Sequence, residues 1–388
     1  MNKQKNWWLV PIVGSAMMLF SGVPSSWGVF RKAVSEEYGF GQDTGAFVLN
    51  LTVAAFGVGC VIGGYLQDKK GAFWASIFGS ILLSGGFAAA AFVPQNSVWL
   101  FYLVFCIPAG IGCAFLYPAV MSCIQKSNPE KKGLVTGIAG LGFGLSGLAI
   151  TLAKQLTEPV WGIRGSFLTL AVLVAVICGG GSFFMKSPQQ NQAENTQQKF
   201  SPKQVVQKKQ YRWLFLAVCF AAPSVLLFSP KIVEMAQERD VSEQVAVWIV
   251  AAAAVFNALG RLTIPAISDK AGRKPTAIGG MLLLAGFSVA FGFVQGWWFF
   301  AGYCILCFFY SGNAALLPSF CTDLFGNQWV GVTYGLAALG MTAGSLLSPL
   351  LAKWIQGEYA VHWIAAISAL LAVGCYYKLD IQNSQQKN

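Results

Sequence analysis

This sequence predicts an all-α integral membrane protein: twelve transmembrane helices arranged as two pseudo-symmetric six-helix bundles. Three observations predict it. The 388 residues are 55% hydrophobic and only 11% charged, about half the charged fraction of a soluble protein. Twelve apolar runs each approach the ~20 residues that cross a hydrocarbon core. The first half of the chain also recurs in the second, in the same order. A barrel of alternating strands of about ten residues does not suit runs that are longer and apolar on every face.

The first run, 7–30, is too long for a signal-peptide core and lacks a suitable small-residue cleavage site, so it reads as a retained helix. Runs 44–66, 72–93, 98–122, 133–156 and 164–185 complete a first bundle over residues 1–185. The stretch 186–212, "KSPQQNQAENTQQKFSPKQVVQKKQYR", is rich in Gln, Asn and Lys and reads as a mobile cytoplasmic linker. Runs 213–237, 243–267, 275–294, 297–321, 330–355 and 361–379 form a second bundle over 213–388. These twelve runs are numbered here as spans 1 to 12.

The repeat carries the two-bundle reading. At an offset of 201, Asp68, Lys69, Gly71, Gly79 and Gly85 fall on Asp269, Lys270, Gly272, Gly280 and Gly286. At an offset of 198, "GLVTGIAGLGFG" (133–144) matches "GVTYGLAALGMT" (331–342).

The net charge of +11 does not imply nucleic acid. With both termini in the cytoplasm, 18 Lys and Arg fall on the cytoplasmic side, 7 on the other, and Arg261 is left over. This is the positive-inside bias of an inner or plasma membrane protein in contact with anionic lipid. The ten Cys lie in or beside the apolar runs. Cys304 and Cys307, at i and i+3, could form a metal or redox pair, but small buried hydrophobes are the better reading. His362 is the one histidine of the chain. No catalytic constellation, metal cluster or phosphate loop is present, so neither an enzyme nor a cofactor is expected.

Arg261 is the charge that needs explaining. It lies eight residues before Asp269 at the end of span 8, about 12 Å deep at the helical rise. An unpaired Arg at that depth costs roughly 2.5–3.5 kcal/mol on insertion scales. One reading is a structural Arg bonded to carbonyls of a neighbouring helix. The stronger reading is an anion ligand, because a guanidinium matches a carboxylate bidentately and no buried Asp or Glu offers a permanent partner. Asn257, one turn away, should share its face. Pro265 removes the donor that would bond the Arg261 carbonyl, and Gly260 adds flexibility, so span 8 is expected to bend here. Depth arithmetic adds Tyr117, Phe143 and Tyr310 as candidates for an aromatic cage.

Twelve helices as two parallel halves resemble the major facilitator superfamily. The loops "GGYLQDKKG" and "PAISDKAGRK" are similar to its signature after helices 2 and 8, although Ala72 stands where a basic residue is usual. That resemblance implies gating clamps built from Asp68, Lys69, Asp269, Lys270 and Arg273. Within the superfamily, "SGVPSSWGVF", "NPEKKGLVTGIAGLGFGLSG", "GRLTIPAISDKAGR" and "LPSFCTDLFG" resemble the oxalate/formate antiporter family, a branch close to the monocarboxylate transporters. The resemblance implies that Arg261 contacts a substrate carboxylate, that Tyr117, Phe143 and Tyr310 line the pocket, and that Trp27 belongs to the site through the span 1 motif. Oxalate carriers of the family add a Lys in helix 11, where Met341 stands here. Monocarboxylate symporters carry an Asp where Asn257 stands here.

One cation favours one carboxylate. The expected function is secondary active or facilitative transport of small organic anions of the formate, lactate and pyruvate class, by a functional monomer using alternating access. An oxalate or other dicarboxylate exchanger and a proton-coupled monocarboxylate symporter are the alternatives. A carrier of another small solute, such as a sugar or drug, is the further transport reading, but sugar carriers line the cavity with many Asn, Gln and acidic groups, and a sensor would add a signalling domain.

Overall fold

The computed structural model describes residues 8–127, 132–186, 201–239, 241–326, 329–354 and 359–380. Among these, nine helical segments are long and apolar enough to cross a membrane. One of them, Gly137–Ser182, holds two spans. It breaks at Gly162, whose φ of 66° and ψ of −175° lie outside the helical region. Spans 1 and 7 complete the twelve in a different form. Span 1 is built from Leu9–Met18 and Trp27–Tyr38, with a 3₁₀ turn at Val23–Ser26 between them. Span 7 is built from Lys209–Ala221, Pro223–Leu226 and Ile232–Gln237, with a 3₁₀ turn at Ser229–Lys231. Pro24 and Pro223 sit at the first positions of pieces of these spans, where a missing N–H costs least.

The expected linker is only partly described, since 187–200 lie outside the described residues. Its later part is not loose. Pro202–Gln207 is a helix with a capping box at Ser201, and Val205 is fully buried. Span 7 therefore starts at Lys209, earlier than the apolar run suggested, because a capped polar turn leads into it.

The two halves meet along glycine-lined helix pairs, as expected where no water drives helices together and close backbone approach must supply the attraction. In span 2 (Gln42–Lys70) and span 11 (Val330–Trp354), Gly64 lies against the Gly331 carbonyl and Gly335 against the Cys60 carbonyl. Thr342 donates to the Ala54 carbonyl across the same interface at 2.8 Å. In span 5 (its first rod Lys132–Gly144) and span 8 (Glu243–Ala271), Gly144 lies against Ala258 and Gly137 against Leu262. Each of these glycines faces a neighbour that a Cβ would strike.

The two duplicated loops turn through Gly71 and Gly272, both at φ 92°, a conformation that favours glycine. Their aspartates do different work. Asp68 accepts the Val332 N–H at 3.0 Å. It thus caps the first turn of span 11 in the opposite half, where a carboxylate also suits the positive end of the helix. Asp269 pairs with Arg273 at 2.6 Å, and Arg273 also reaches Asp323 at 3.4 Å, at the end of span 10. Two expected clamp residues are placed elsewhere. Lys69 lies over the ring of Tyr65 on its own helix, and Lys270 is exposed.

Candidate functional site

A cavity of about 160 Å³ lies between the halves. Among the described residues that line it there is no Asp, Glu, Lys or His, and Arg261 supplies its charge. Five of the other expected residues line it as well: Asn257, Tyr117, Phe143, Tyr310 and Met341.

The local geometry follows from the helix contacts. Gly140 lies beside the Arg261 Cβ, and Gly144 lets spans 5 and 8 touch. This brings Phe143 under the guanidinium, whose Cζ sits 4.5 Å from the ring centroid. A desolvated cation over an aromatic face is attracted by about 2 kcal/mol. Arg261 Nε donates to Asn257 Oδ1 at 3.0 Å, so a neutral amide one turn away fixes the fork. Tyr117 lies within hydrogen-bonding reach of the guanidinium. It also meets Phe143 edge-on at 4.9 Å and stacks on Tyr334 at 5.9 Å. The guanidinium is held by an amide, one ring and a hydroxyl, and the described lining of the cavity holds no carboxylate to pair with it.

Two expectations are corrected. Trp27 is not at the cavity. Its indole N–H donates to the Gly45 carbonyl at 2.7 Å, and its ring packs among Phe30, Phe101 and Phe105. It begins the second rod of span 1 and is rotated into the core of the first half. Span 8 runs as one helix from Glu243 to Ala271 with Pro265 inside it, so the proline does not end the helix beside Arg261. Gly260 serves contact rather than flexibility, because the Phe308 carbonyl occupies the place a Cβ would take. There, Ser311 Oγ donates to the Asn257 carbonyl at 2.8 Å, which locks span 8 to span 10 (Gly296–Phe325).

A profile of the Major Facilitator Superfamily matches residues 6–231 and again 214–387. The chain belongs to the Major Facilitator Superfamily. It is a multi-pass membrane transporter, of a family that is not made of enzymes. It is 25% identical over 357 residues to the uncharacterized MFS-type transporter YhjX of Escherichia coli, covering 89% of this chain and 87% of that one. It is 26% identical over 376 residues to the oxalate:formate antiporter of Oxalobacter formigenes, covering 94% and 88%. The crystal structure of a peptide transporter, POT, superposes with a TM-score of 0.71 at 13% identity, over 95% of this chain and 93% of that one. That likeness is one of fold.

In this superfamily member the internal repeat explains the cavity's electrical asymmetry. The offset of 201 carries Cys60 of span 2 onto Arg261 of span 8, and the offset of 198 carries Phe143 of span 5 onto Met341 of span 11. The duplicated frame thus offers two equivalent helix pairs, and one of them bears a cation. Several lining residues escaped the sequence reading, among them Tyr334, Phe56 and Asn313. Tyr334 stands four residues into span 11, where depth arithmetic places it near a helix end. Its role in supporting Tyr117 comes from a contact between the halves. Replacing Tyr117 with Phe removes one hydroxyl from the guanidinium's surroundings. It should weaken substrate affinity about threefold to tenfold, the range of a single hydrogen bond, in a transport assay that separates affinity from maximal rate.

Proposed function

We propose that this transporter carries small organic anions, preferably monocarboxylates of the formate, lactate and pyruvate class, with Arg261 holding the carboxylate. The observation that carries the proposal is a guanidinium fixed by Asn257 and Phe143 in a cavity whose described lining holds no carboxylate. The negative charge that balances it arrives with the substrate. The cavity's Leu49, Val53, Phe56 and Val225 suit a short apolar remainder. The relative from Oxalobacter formigenes carries carboxylates in its name, which supports the same class.

On this reading residues 1–185 and 213–388 rock against each other, with 186–212 as the linker. Both termini and the loops of Asp68 and Asp269 lie in the cytoplasm, on the side richer in Lys and Arg. Asp68 is the clamp between the halves, and Arg273 with Asp269 ties spans 8, 9 and 10 together within the second half. Asn257 does not titrate, and the described lining contains no carboxylate, so exchange or facilitated diffusion is preferred over proton symport.

The test is a thermal-shift screen of carboxylates on purified protein, followed by counterflow in proteoliposomes. Monocarboxylates should stabilise the protein and exchange; a protein indifferent to every carboxylate would refute the reading. Charge counting gives a further expectation at Met341, which lines the cavity at the repeat position of Phe143. Met341→Lys adds a second cation and should raise affinity for a dicarboxylate relative to a monocarboxylate by about tenfold or more, equivalent to ~1.4 kcal/mol. Competition of oxalate against formate in the counterflow assay reads the ratio directly.

A further inference from the structure

The central cavity extends into the second half beyond the surroundings of Arg261. Met281 of span 9 (Arg273–Phe291) and Tyr376 of span 12 (Ala360–Tyr377) line it there. So does Asn313 of span 10. Asn313 is 2% exposed. It stands near the end of the rod Gly296–Ala314, just before the span turns and resumes at Leu317. A polar side chain buried so deeply needs partners for both ends of its amide.

One end has a partner and the other does not. Asn313 Nδ2 donates to the Phe309 carbonyl at 2.9 Å. This bond fixes which end of the amide is which, because the flipped amide would set oxygen against oxygen. Oδ1 is left buried, with no hydrogen-bond partner among the described residues. The amide lies against Gly280 of span 9, where a Cβ would strike it. A buried acceptor left unpaired is costly, and a donor that enters the cavity relieves that cost.

Helix register gives the separation from Arg261. Gly260 meets the Phe308 carbonyl and Gly312 meets Ile264, so spans 8 and 10 run side by side in the same direction at an offset of 48 residues. Arg261 is then level with Phe309, and Asn313 lies four residues further along, about 6 Å at the helical rise. A carboxylate held at Arg261 offers only lone pairs, so the donor for Oδ1 must come from the carbon chain. A methyl or an oxo group supplies none. An ammonium would add a second positive charge to a cavity whose described lining holds no carboxylate. A hydroxyl supplies a donor without charge. On the carbon beside the carboxylate it falls short of the separation, and on the third or fourth carbon it reaches further across. We propose that Asn313 selects short monocarboxylates with a hydroxyl on the third or fourth carbon. Oδ1 accepts from that hydroxyl while Arg261 holds the carboxylate. This inference rests on the carboxylate reading of Arg261 and narrows it.

Competition in the counterflow assay compares butyrate with 3-hydroxybutyrate and 4-hydroxybutyrate, and propionate with lactate. In the wild type at least one hydroxybutyrate should bind about tenfold more tightly than butyrate, the scale of one hydrogen bond to an otherwise unpaired buried group. Lactate should gain less over propionate. Asn313→Leu, similar in size but without an acceptor, should cut the hydroxybutyrate advantage to about twofold or less while butyrate binds as before or better. A merely structural role would weaken all of these acids alike. Equal affinity for butyrate and both hydroxybutyrates in the wild type overturns the inference without need of a variant, and is the result expected if a resident water satisfies Oδ1. An undiminished advantage in Asn313→Leu overturns it too, and so does a lactate advantage as large as that of the hydroxybutyrates. If butyrate and lactate still exchange, such results leave the role of Arg261 standing; if no carboxylate exchanges, both readings fall.

Discussion

Arg261→Gln is expected to reduce carboxylate exchange by at least about a hundredfold while leaving the protein folded. Removing one partner of a desolvated charge pair costs about 2–5 kcal/mol, and ~1.4 kcal/mol is a factor of ten. The fold should survive because the described lining of the cavity holds no carboxylate that depends on Arg261. Its contacts are the amide of Asn257, the face of Phe143 and the hydroxyl of Tyr117. Arg261→Lys keeps the charge but loses both the fork and the flat surface that lies on Phe143. Its activity should fall between the two. Counterflow in proteoliposomes gives the rates, and thermal melting of the purified variants shows that they are folded. Unaltered exchange in Arg261→Gln would remove the basis of the carboxylate reading.

Gly64→Val is expected to abolish transport by another route. A Cβ at Gly64 would collide with the carbonyl group of Gly331 in span 11, which is backbone and cannot swing aside. Asp68 and its bond to the Val332 N–H lie one turn further along the same interface. A branched side chain at Gly64 wedges spans 2 and 11 apart, breaks the cap and holds this face open. Overpacking a tight contact costs about 1–3 kcal/mol, and the halves can relieve it by staying apart, so the protein should fold. With Val225→Cys in a background carrying Cys307→Ser, both of them cavity positions, labelling by a membrane-impermeant thiol reagent should then be fast from the side of the Asp68 loop. Normal transport in Gly64→Val would show that the two helices need not close to this distance during turnover.

Most of the candidate site is legible in the sequence, for a specific reason. The bilayer prices charge by depth, so Arg261 announces itself in an apolar run, and a helical turn places Asn257 beside it. Tyr117, Phe143, Tyr310 and Met341 followed from depth and from the resemblance, and all four line the cavity. Trp27 did not follow, because depth says nothing about rotation, and its ring faces the core of the first half. Lys69 and Lys270 matched a loop pattern, yet a pattern does not state which charge finds a partner. Arg31 and Lys154 fall among the seven Lys and Arg of the outer side in the charge count, which says nothing of their burial. Only the packing of spans 1, 5 and 7 shows that they are enclosed.

Hydropathy, charge count and the repeat were enough for the membrane class, the twelve spans, the duplicated halves and the cation in the cavity's described lining. Each depends on position along the chain, and a layered solvent reads that coordinate. The tertiary structure decided which face each helix turns inward and what it meets there. It showed that Gly260 is small because the span 10 backbone presses on it, that Asp68 caps a helix of the other half, and that Arg31 reaches Glu234. Those outcomes depend on helix rotation and on contacts between segments from 48 to 264 residues apart. They are settled by close packing, which no local property of the chain encodes.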